Sequence, residues 1–413
     1  MDPPTELPTR FVALDVARSS IMIAAVDARQ QVVLKSRRVG VDQIEHWSRA
    51  HLTRADAVVL EATANAWHLY DQLRPLVGSV TVCHPLLVKL IAGARVKTDR
   101  RDALNLAKLL AAGLIPAVWV PPPDVRELRA LVSHRQRLVR QRSQVRNRLH
   151  GVLHRHNLFP PAGKPFGAGQ RTWWARLDLV PSEQLRVRQD LALLDSLEPL
   201  IREVDDELAR LSTLEPWAGQ VAFLVQLPGL GLHTAMVVLA AIGDITRFPA
   251  ASKLVGYAGL GASISASGQM QRTGGITKQG RRELRAALVE AAWVAVQTHP
   301  YWKQTFGRLE RRIGRNKAIV AIARKLLVVI WHVLSARVAD RQADPAKVAL
   351  KMMTWAWKLG AEQRAGLTPG QFVRRELTRL RLGDMLTVVQ QSGRNLRIPP
   401  ATPAEPDRHD HIA

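Results

Sequence analysis

Residues 97–103 read Lys-Thr-Asp-Arg-Arg-Asp-Ala, and this stretch begins a helix that we expect to pack on the N-terminal sheet. Thr98 is of the type that caps helices, and the helix then runs from Asp99 to Leu110. Asp99 and Asp102 are three positions apart, so they project from one face of that helix. Paired carboxylates favour a divalent cation between them, because such cations prefer oxygen ligands. The alternative is an ordinary acidic first turn, which the helix dipole also favours.

Two buried strands upstream of this helix each end in an acidic residue. The run FVALD ends at Asp15, and the run AVVLE ends at Glu61. In open α/β sheets, sites form outside the carboxyl ends of the strands, so adjacent strands would bring these two acids together. Together with Asp99 and Asp102 they make four carboxylates, as two-metal phosphoryl chemistry requires. Taken singly, Asp15 is also explained as a turn residue and Glu61 as a helix cap.

The first 120 residues alternate between strand and helix patterns. Strands are expected at 11–15, 20–26, 31–35, 57–61 and 80–83. Helices are expected at 41–52, 67–76, 85–94 and 99–110. The first three strands form a meander, and the later ones alternate with helices. This order predicts an α/β domain built on a mixed sheet.

The charge of the chain indicates a polyanionic partner. The 413 residues include 59 Lys and Arg against 35 Asp and Glu, a net charge of +24, so nucleic acid is the first candidate. An anionic membrane surface is the competitor, but we expect no apolar run long enough to span a bilayer, and the N-terminus lacks a signal-peptide core. The only cysteine is Cys83, which excludes an intrachain disulfide and a cysteine-based zinc site. A reducing cytoplasm fits this composition.

An arginine-rich helix follows the proline run at residues 121–123, which ends the first domain. Apolar residues recur every seven positions along it, as in a coiled-coil seam, at Leu131, Leu138, Val145 and Val152. The other faces are almost free of acids, so we expect phosphate contacts there; a solvated face is the alternative. The candidate nucleic-acid contacts are Arg135, Arg137, Arg140, Arg142, Arg146 and Arg148.

A second long helix is expected over residues 182–211, after a connector in which the pair Trp173-Trp174 serves as a hydrophobic anchor. Its apolar residues recur in steps of three and four, and Pro199 should kink it. Its many acids contrast with the arginine-rich helix, so we expect it to pair with another helix. That partner could belong to the same chain or to a second subunit.

Two glycine-containing segments further along are candidate phosphate sites. The stretch LPGLG at 227–231 precedes a helix over 232–242, as in a helix-hairpin-helix, where Gly229 and Gly231 would bare N–H groups. A plain αα-hairpin turn is the alternative. The Ser/Gly/Ala segment at 256–268 is expected to be a flexible loop. Glycines and basic residues follow this segment, and we expect an anion-binding site at Lys278, Arg281 and Arg285.

The acidic stretches resemble those of the DEDD transposases of bacterial insertion sequences. The resemblance rests on Asp15-Val16-Ala17, on Leu60-Glu61-Ala62-Thr63 and on residues 97–103, and it covers roughly residues 10–335. It implies an N-terminal RuvC-like domain of the RNase H fold. It also implies a tetrad that holds Mg²⁺, or another divalent cation such as Mn²⁺, formed by Asp15, Glu61, Asp99 and Asp102.

The block at residues 256–280 resembles the C-terminal transposase domain of the same family, whose serine attacks DNA. The family usually has a Ser-Ser-Gly step with a proline upstream, whereas this chain has Ala266-Ser267-Gly268 and Ala262. The resemblance therefore makes Ser267 the expected nucleophile and Ser265 the fallback.

The resemblance implies an insertion-sequence transposase, that is, a site-specific DNA recombinase. Its partners would be the element ends and target DNA, a structured guide RNA encoded by the element, and further copies of the chain in a dimer or tetramer. The resemblance also implies that the protein acts in the bacterial cytoplasm, in association with the nucleoid. The alternatives are a junction-resolving nuclease that uses metal-activated water and a nucleic-acid-binding protein without catalysis.

Four regions are expected along the chain. They are a RuvC-like domain at 1–120, an arginine-rich coiled-coil region at 121–215, a mainly α transposase domain at 216–340, and a helical extension with a disordered tail at 341–413.

Overall fold

A computed structural model of the chain describes residues 7–92, 99–267 and 270–401. The chain divides after Pro122 into two units, which are described separately. The expected cap Thr98, Gly268 and the tail from residue 402, which was expected to be disordered, lie outside the described residues.

The first unit is built on a five-stranded mixed sheet. Its strands are β1 (Arg10–Val16), β2 (Ser20–Asp27), β3 (Val32–Gly40), β4 (Asp56–Glu61) and β5 (Ser79–Cys83). They lie in the order β3-β2-β1-β4-β5. The meander β1-β2-β3 is antiparallel, and β1, β4 and β5 are parallel to one another.

Helices cover both faces of this sheet. They are α1 (Ile44–His51), α2 (Ala66–Leu73), α3 (Pro85–Ala92) and α4 (Asp99–Ala111). Buried side chains of α1 and α2 pack with Val12 and Leu14 of β1. On the other face, Leu106 and Ala107 of α4 pack with Ala13 and Val59. The predicted mixed sheet with flanking helices is confirmed, and it is compatible with an RNase H-like fold.

Two expected elements of the first unit differ in extent. Strand β3 continues to Gly40, five residues beyond its predicted end, because the buried Val39 extends its pairing with β2. The helix predicted from residue 41 begins as a short 3₁₀ turn at Val41–Gln43 before α1 starts.

The second unit is mostly helical. Its helices are α5 (Pro123–Arg155), α6 (Arg171–Ala175), α7 (Pro181–Leu211), α8 (Ala218–Val225), α9 (Leu232–Ile242), α10 (Ala251–Tyr257), α11 (Arg282–Thr298), α12 (Pro300–Ile313), α13 (Arg315–Ala336), α14 (Pro345–Trp357) and α15 (Pro369–Arg379). Two hairpins accompany them, β6 (Ala262–Ser267) with β7 (Met270–Ile276) and β8 (Val388–Gln391) with β9 (Arg394–Arg397). The mainly α prediction therefore holds for most of this unit, while both hairpins were missed.

Helices α5 and α7 are the long helices of this unit, and they pack against each other. Ion pairs join Arg135 to Asp205 and Arg148 to Asp190, so the helices run antiparallel. Of the four predicted seam residues, Leu138, Val145 and Val152 are buried and Leu131 is half-buried. Helix α7 continues through Pro199. The acid-rich helix thus finds its partner within the same chain.

The connector between these helices is anchored as expected. Trp174 is buried, and its indole Nε1 donates to the carbonyl oxygen of Pro165 at 2.7 Å. Trp173 meets Trp174 edge to face. The pair therefore holds the connector in place.

One helix of the described chain, α13, is long and apolar enough to cross a bilayer by length and composition. This corrects the expectation that no such run exists. Half of its apolar window is buried within the protein, and it packs on α10, α11 and α12. Those contacts are typical of a core helix.

Candidate functional site

The four predicted acids line one cavity of about 550 Å³ in the first unit. Asp15 and Glu61 reach it from the sheet, and Asp99 and Asp102 reach it from α4. Three separate elements therefore bring to one place four carboxylates that are up to 87 positions apart in the sequence.

Strand register explains how the two sheet acids come together. The parallel pairing of β1 and β4 sets Leu14 opposite Leu60, and each acid is the next residue. Side chains alternate along a strand, so Asp15 lies on the same face as Ala13, and Glu61 on the same face as Val59. That face is the one α4 covers. Both acids therefore project beneath the start of α4.

Helix α4 presents its first turn to this cavity. Asp99 and Asp102 occupy that turn, while Ala103, Leu106 and Ala107 are buried beside them. The buried side fixes the rotation of the helix and so directs the acids toward the cavity.

Strand β3 supplies a cation that was not predicted. Arg38 Nη2 lies 3.4 Å from Asp99 Oδ2, and both side chains are exposed. The nearby Ser36 hydroxyl donates to the carbonyl oxygen of Arg100 at 2.9 Å, which ties β3 to the start of α4. The prediction missed Arg38 because it ended the strand at residue 35; the apolar Val39 after the basic pair was the available signal.

The carboxylates have the right chemistry for a divalent cation but are not grouped around one. Carboxylate oxygens are the ligands that Mg²⁺ and Mn²⁺ prefer. In the described ranges, no three Asp, Glu, His or Cys side chains are close enough together to hold a metal. A metal at this cavity therefore requires the acidic side chains to converge.

Cys83 adjoins this site on the neighbouring strand. It pairs with Glu61 across β4 and β5. Burial, and secondly the charge of Glu61, raise the pKa of the Cys83 thiol to about 12. This direction of shift is the one expected for a buried thiol next to a carboxylate.

The segment predicted to be a flexible serine loop is a hairpin. Its strands pair Ser265 with Arg272 and Ser267 with Met270. Ser267 is thus the last residue of β6, next to the hairpin tip. The prediction was wrong because Ser, Gly and Ala favour loops locally, whereas strand pairing depends on a partner elsewhere in the chain.

The base of this hairpin is fixed by close backbone contact. Thr277 N–H donates to Gly261 at 2.9 Å, and Lys278 N–H donates to Gly259 at 3.1 Å. Gly259 has a φ of +66°, and a Cβ there would overlap the Gln279 backbone. Glycine is therefore required at this crossing, and the serine strand starts from a rigid support.

The three cations predicted near this hairpin have different surroundings. Arg285 donates to the carbonyl oxygens of Ala258, Gln279 and Gly280 at 2.7–3.2 Å, so it supports the hairpin base. Lys278 is exposed. Arg281 lies near Arg129, since its charge is the second cause, after burial, that lowers the pKa of Arg129 to about 10.

The two glycines of the predicted helix-hairpin-helix also differ. Helices α8 and α9 flank the turn as predicted. Gly229 has a φ of +79°, and a Cβ there would overlap the Ala291 carbonyl oxygen of α11. Gly231 caps α9 and faces open space. Packing alone explains Gly229, whereas Gly231 remains a candidate phosphate contact.

Most of the arginines predicted to contact phosphate are held by acids of α7. Besides Arg135 and Arg148, Glu198 accepts from Arg142 at 3.3 Å and from Arg146 at 2.7 Å. These pairs orient the two helices, a role that the prediction did not include. Arg137 and Arg140 are exposed and make no ion pair within the described part of the chain.

Two family models match separate segments of this chain. Residues 12–158 match a family model for DEDD transposases, described as "Transposase", and residues 221–307 match one described as "Transposase IS116/IS110/IS902 family". The first match contains all four acids, and the second contains the serine hairpin.

Relatives match over most of the chain. A putative transposase, y4qE, of Sinorhizobium fredii is 30% identical over 373 residues, which cover 86% of this chain and 89% of the relative. The transposase for insertion sequence element IS1111A of Coxiella burnetii is 24% identical, covering 79% and 90%. The pilin gene-inverting protein of Moraxella bovis is 26% identical, covering 78% and 95%.

The chain belongs to the DEDD transposase family of bacterial insertion sequences. It is therefore a DNA-processing protein of the transposase and recombinase type.

Proposed function

We propose that this chain cuts and rejoins DNA at the ends of an insertion sequence, with Ser267 as the nucleophile and the four cavity acids as its metal-binding group. The observation that carries the proposal is that Asp15, Glu61, Asp99 and Asp102, which come from three separate elements, all line one cavity. Carboxylate oxygens are the ligands that divalent cations such as Mg²⁺ prefer, so a cavity lined by four of them favours a metal-dependent function.

Divalent cations, Mg²⁺ or Mn²⁺, would be held by those four carboxylates. When bound, they would ease deprotonation of an attacking oxygen and stabilise charge on the phosphate. Arg38 adds a fixed positive charge at the rim of the cavity. A cation next to the carboxylates suits a phosphodiester that must approach an acidic site.

Strand cleavage is a transesterification, in which one phosphate ester bond replaces another. The Ser267 Oγ attacks phosphorus, an O–P bond to the serine forms, and the P–O bond to one deoxyribose breaks. The hydroxyl proton leaves the serine, and the departing deoxyribose oxygen takes up a proton. A hydroxyl group of a second strand then attacks the phosphorus bonded to Ser267. This attack joins the two strands and releases the serine. Serine is a poor nucleophile unless a base or metal activates it.

The proposed partners are element-end and target DNA, a structured guide RNA and further copies of the chain. The net charge of +24 favours binding of these nucleic acids. Exposed basic residues that form no ion pair with the described residues, such as Arg140 and Lys278, are candidate contacts. This role places the protein with the nucleoid in the bacterial cytoplasm.

Removal of one cavity acid tests the proposed role of the acids. The substrate is a DNA fragment that carries the sequences flanking the coding region, with any flanking noncoding RNA added. With Mg²⁺, wild-type protein should cleave it, and Asp102→Asn should lose cleavage by at least about 100-fold while its melting temperature stays within a few degrees. Asp42→Asn, an exposed acid of the same unit, is the matched control and should retain activity.

Two outcomes would replace the proposal. Metal-dependent cleavage without a covalent protein–DNA adduct indicates a junction-resolving nuclease. Binding of the same DNA without cleavage under any divalent cation indicates a non-catalytic nucleic-acid-binding protein.

A further inference from the structure

The C-terminal extension contains a short two-stranded hairpin, β8–β9. Strands β8 and β9 are joined by two residues, Ser392 and Gly393, with φ values of 48° and 76°. Two consecutive positive φ values are the geometry that matches the twist of a two-residue hairpin. The hairpin lies beyond both segments matched by the family models.

A buried arginine holds both ends of this hairpin. The Arg374 guanidinium donates to the carbonyl oxygens of Gly383 at 2.9 Å and Pro399 at 2.6 Å, and also to that of Leu386. These acceptors precede β8 and follow β9. Arg374 is 7% exposed, so its three bonds form away from solvent, where they are strongest. The hairpin is therefore presented as a rigid ribbon.

The two faces of the ribbon differ in chemistry. Val389 pairs with Leu396, and Val389 is buried against the body of the unit. Residues directly opposite each other share a face, and faces alternate along each strand. The outward face therefore carries two cross-strand pairs, Val388 with Arg397 and Gln390 with Asn395. All four of these residues are exposed.

These side chains are of the types that read base edges. Gln and Asn make paired hydrogen bonds with adenine, Arg does so with guanine, and an apolar side chain contacts the thymine methyl group. A two-stranded ribbon fits the major groove, which is about 12 Å wide. A four-residue strand is about 13 Å long, so each strand could span about three to four base pairs.

The charge around the hairpin is complementary to DNA. Residues 369–401 contain six arginines and two acids. One acid, Glu376, is buried and paired with Arg375 and Arg379. Arg397 has no ion pair within the described chain. The surface next to the ribbon is therefore positive, which favours approach to phosphates on both sides of a groove.

We propose that the outward face of β8–β9 reads base edges in the major groove of duplex DNA. The proposal rests on the proposed function in that DNA is the substrate there. It assigns to the protein itself a share of the sequence selection, through Gln390, Asn395 and Arg397.

Selection from random-sequence duplex DNA tests this assignment on the full chain. Wild-type protein should enrich a short motif, and Gln390→Ala with Arg397→Ala should lose the preference for one adenine and one guanine, each by about 5- to 150-fold. The matched control is Arg186→Ala with Gln189→Ala, an exposed pair on α7, which should enrich the wild-type motif. Unchanged melting temperatures would show that both variants fold.

Three results would overturn the proposal. They are no motif with wild-type protein, the same motif with the hairpin variant, and uniform weakening across all sequences, which would mean phosphate contact only. Stronger competition by single-stranded RNA than by duplex DNA would also overturn it, because the surface would then be an RNA-binding site. Because the readout is binding, these results leave DNA cleavage untouched; loss of cleavage in Asp102→Asn is judged separately.

Discussion

At the scale of single residues, Gly229 and Gly231 show how similar positions carry different constraints. Gly229 combines a left-handed backbone with contact to the Ala291 carbonyl, while Gly231 has an ordinary φ and open space. The sequence motif LPGLG treats the two alike. Their difference arises from α11, which packs onto the turn from about 60 residues further along the chain.

Gly229→Ala should destabilise the protein by about 2–5 kcal/mol. A positive φ costs an L-residue about 1–2 kcal/mol, and the overlap with Ala291 adds about 1–3 kcal/mol. Gly231→Ala should cost no more than about 1 kcal/mol, the usual range for a changed cap. Urea unfolding of both variants measures this, and equal losses would contradict the packing role assigned to Gly229.

A second residue of this region, Lys351, should make stability depend on pH. Its ammonium donates to the Leu227 carbonyl oxygen, and burial lowers its pKa from 10.5 to about 7. Between those values the unfolded state binds more protons than the folded state, so stability should rise with pH across that window, by at most about 1.4 kcal/mol per pH unit.

Lys351→Met should remove this rise, because it removes the titrating group. Lys347→Met, an exposed lysine one turn earlier on α14, should keep it. The free energy of unfolding at pH 7, 8 and 9 is the measurement. An equal pH slope in all three proteins would show that Lys351 does not titrate in this window.

At the scale of elements, the arginine-rich helix was only partly predictable. The seam was visible because Leu138, Val145 and Val152 recur at a fixed spacing, which is a local property. Which arginines meet acids depends on the antiparallel register with α7, which local patterns do not specify. The structure therefore separates exposed arginines such as Arg140 from paired ones such as Arg146.

Single substitutions should show that the exposed arginines contact DNA and that the ion-paired arginines stabilise the fold. Arg140→Ala should reduce the salt dependence of duplex DNA binding by about one unit of slope, the value for one lost phosphate contact. Arg146→Ala should leave that slope unchanged and cost up to about 1 kcal/mol of stability, as for an exposed ion pair. Binding titrations at several salt concentrations decide this, and equal slopes for both variants would contradict the division.

At the scale of the whole molecule, the sequence predicted the first unit better than the second. Strands ending in Asp15 and Glu61 carry strong apolar patterns, and their parallel order follows from the alternation with helices. The hairpin β6–β7 was missed because its Ser, Gly and Ala residues favour loops locally, and β8–β9 was missed because each of its strands has only four residues. The placement of Arg38 at the cavity was missed because strand ends are fixed by tertiary pairing.

Mass spectrometry of the protein–DNA adduct tests most directly whether Ser267 forms a covalent bond with DNA. The full chain is incubated with Mg²⁺ and the flanking-sequence DNA, denatured, and digested with protease and nuclease. We expect a nucleotide attached through phosphate to Ser267, and no adduct from Ser267→Ala. Attachment to Ser265, or an adduct that persists in Ser267→Ala, would contradict the assignment of the nucleophile. DNA cleavage with no adduct at all would contradict serine catalysis.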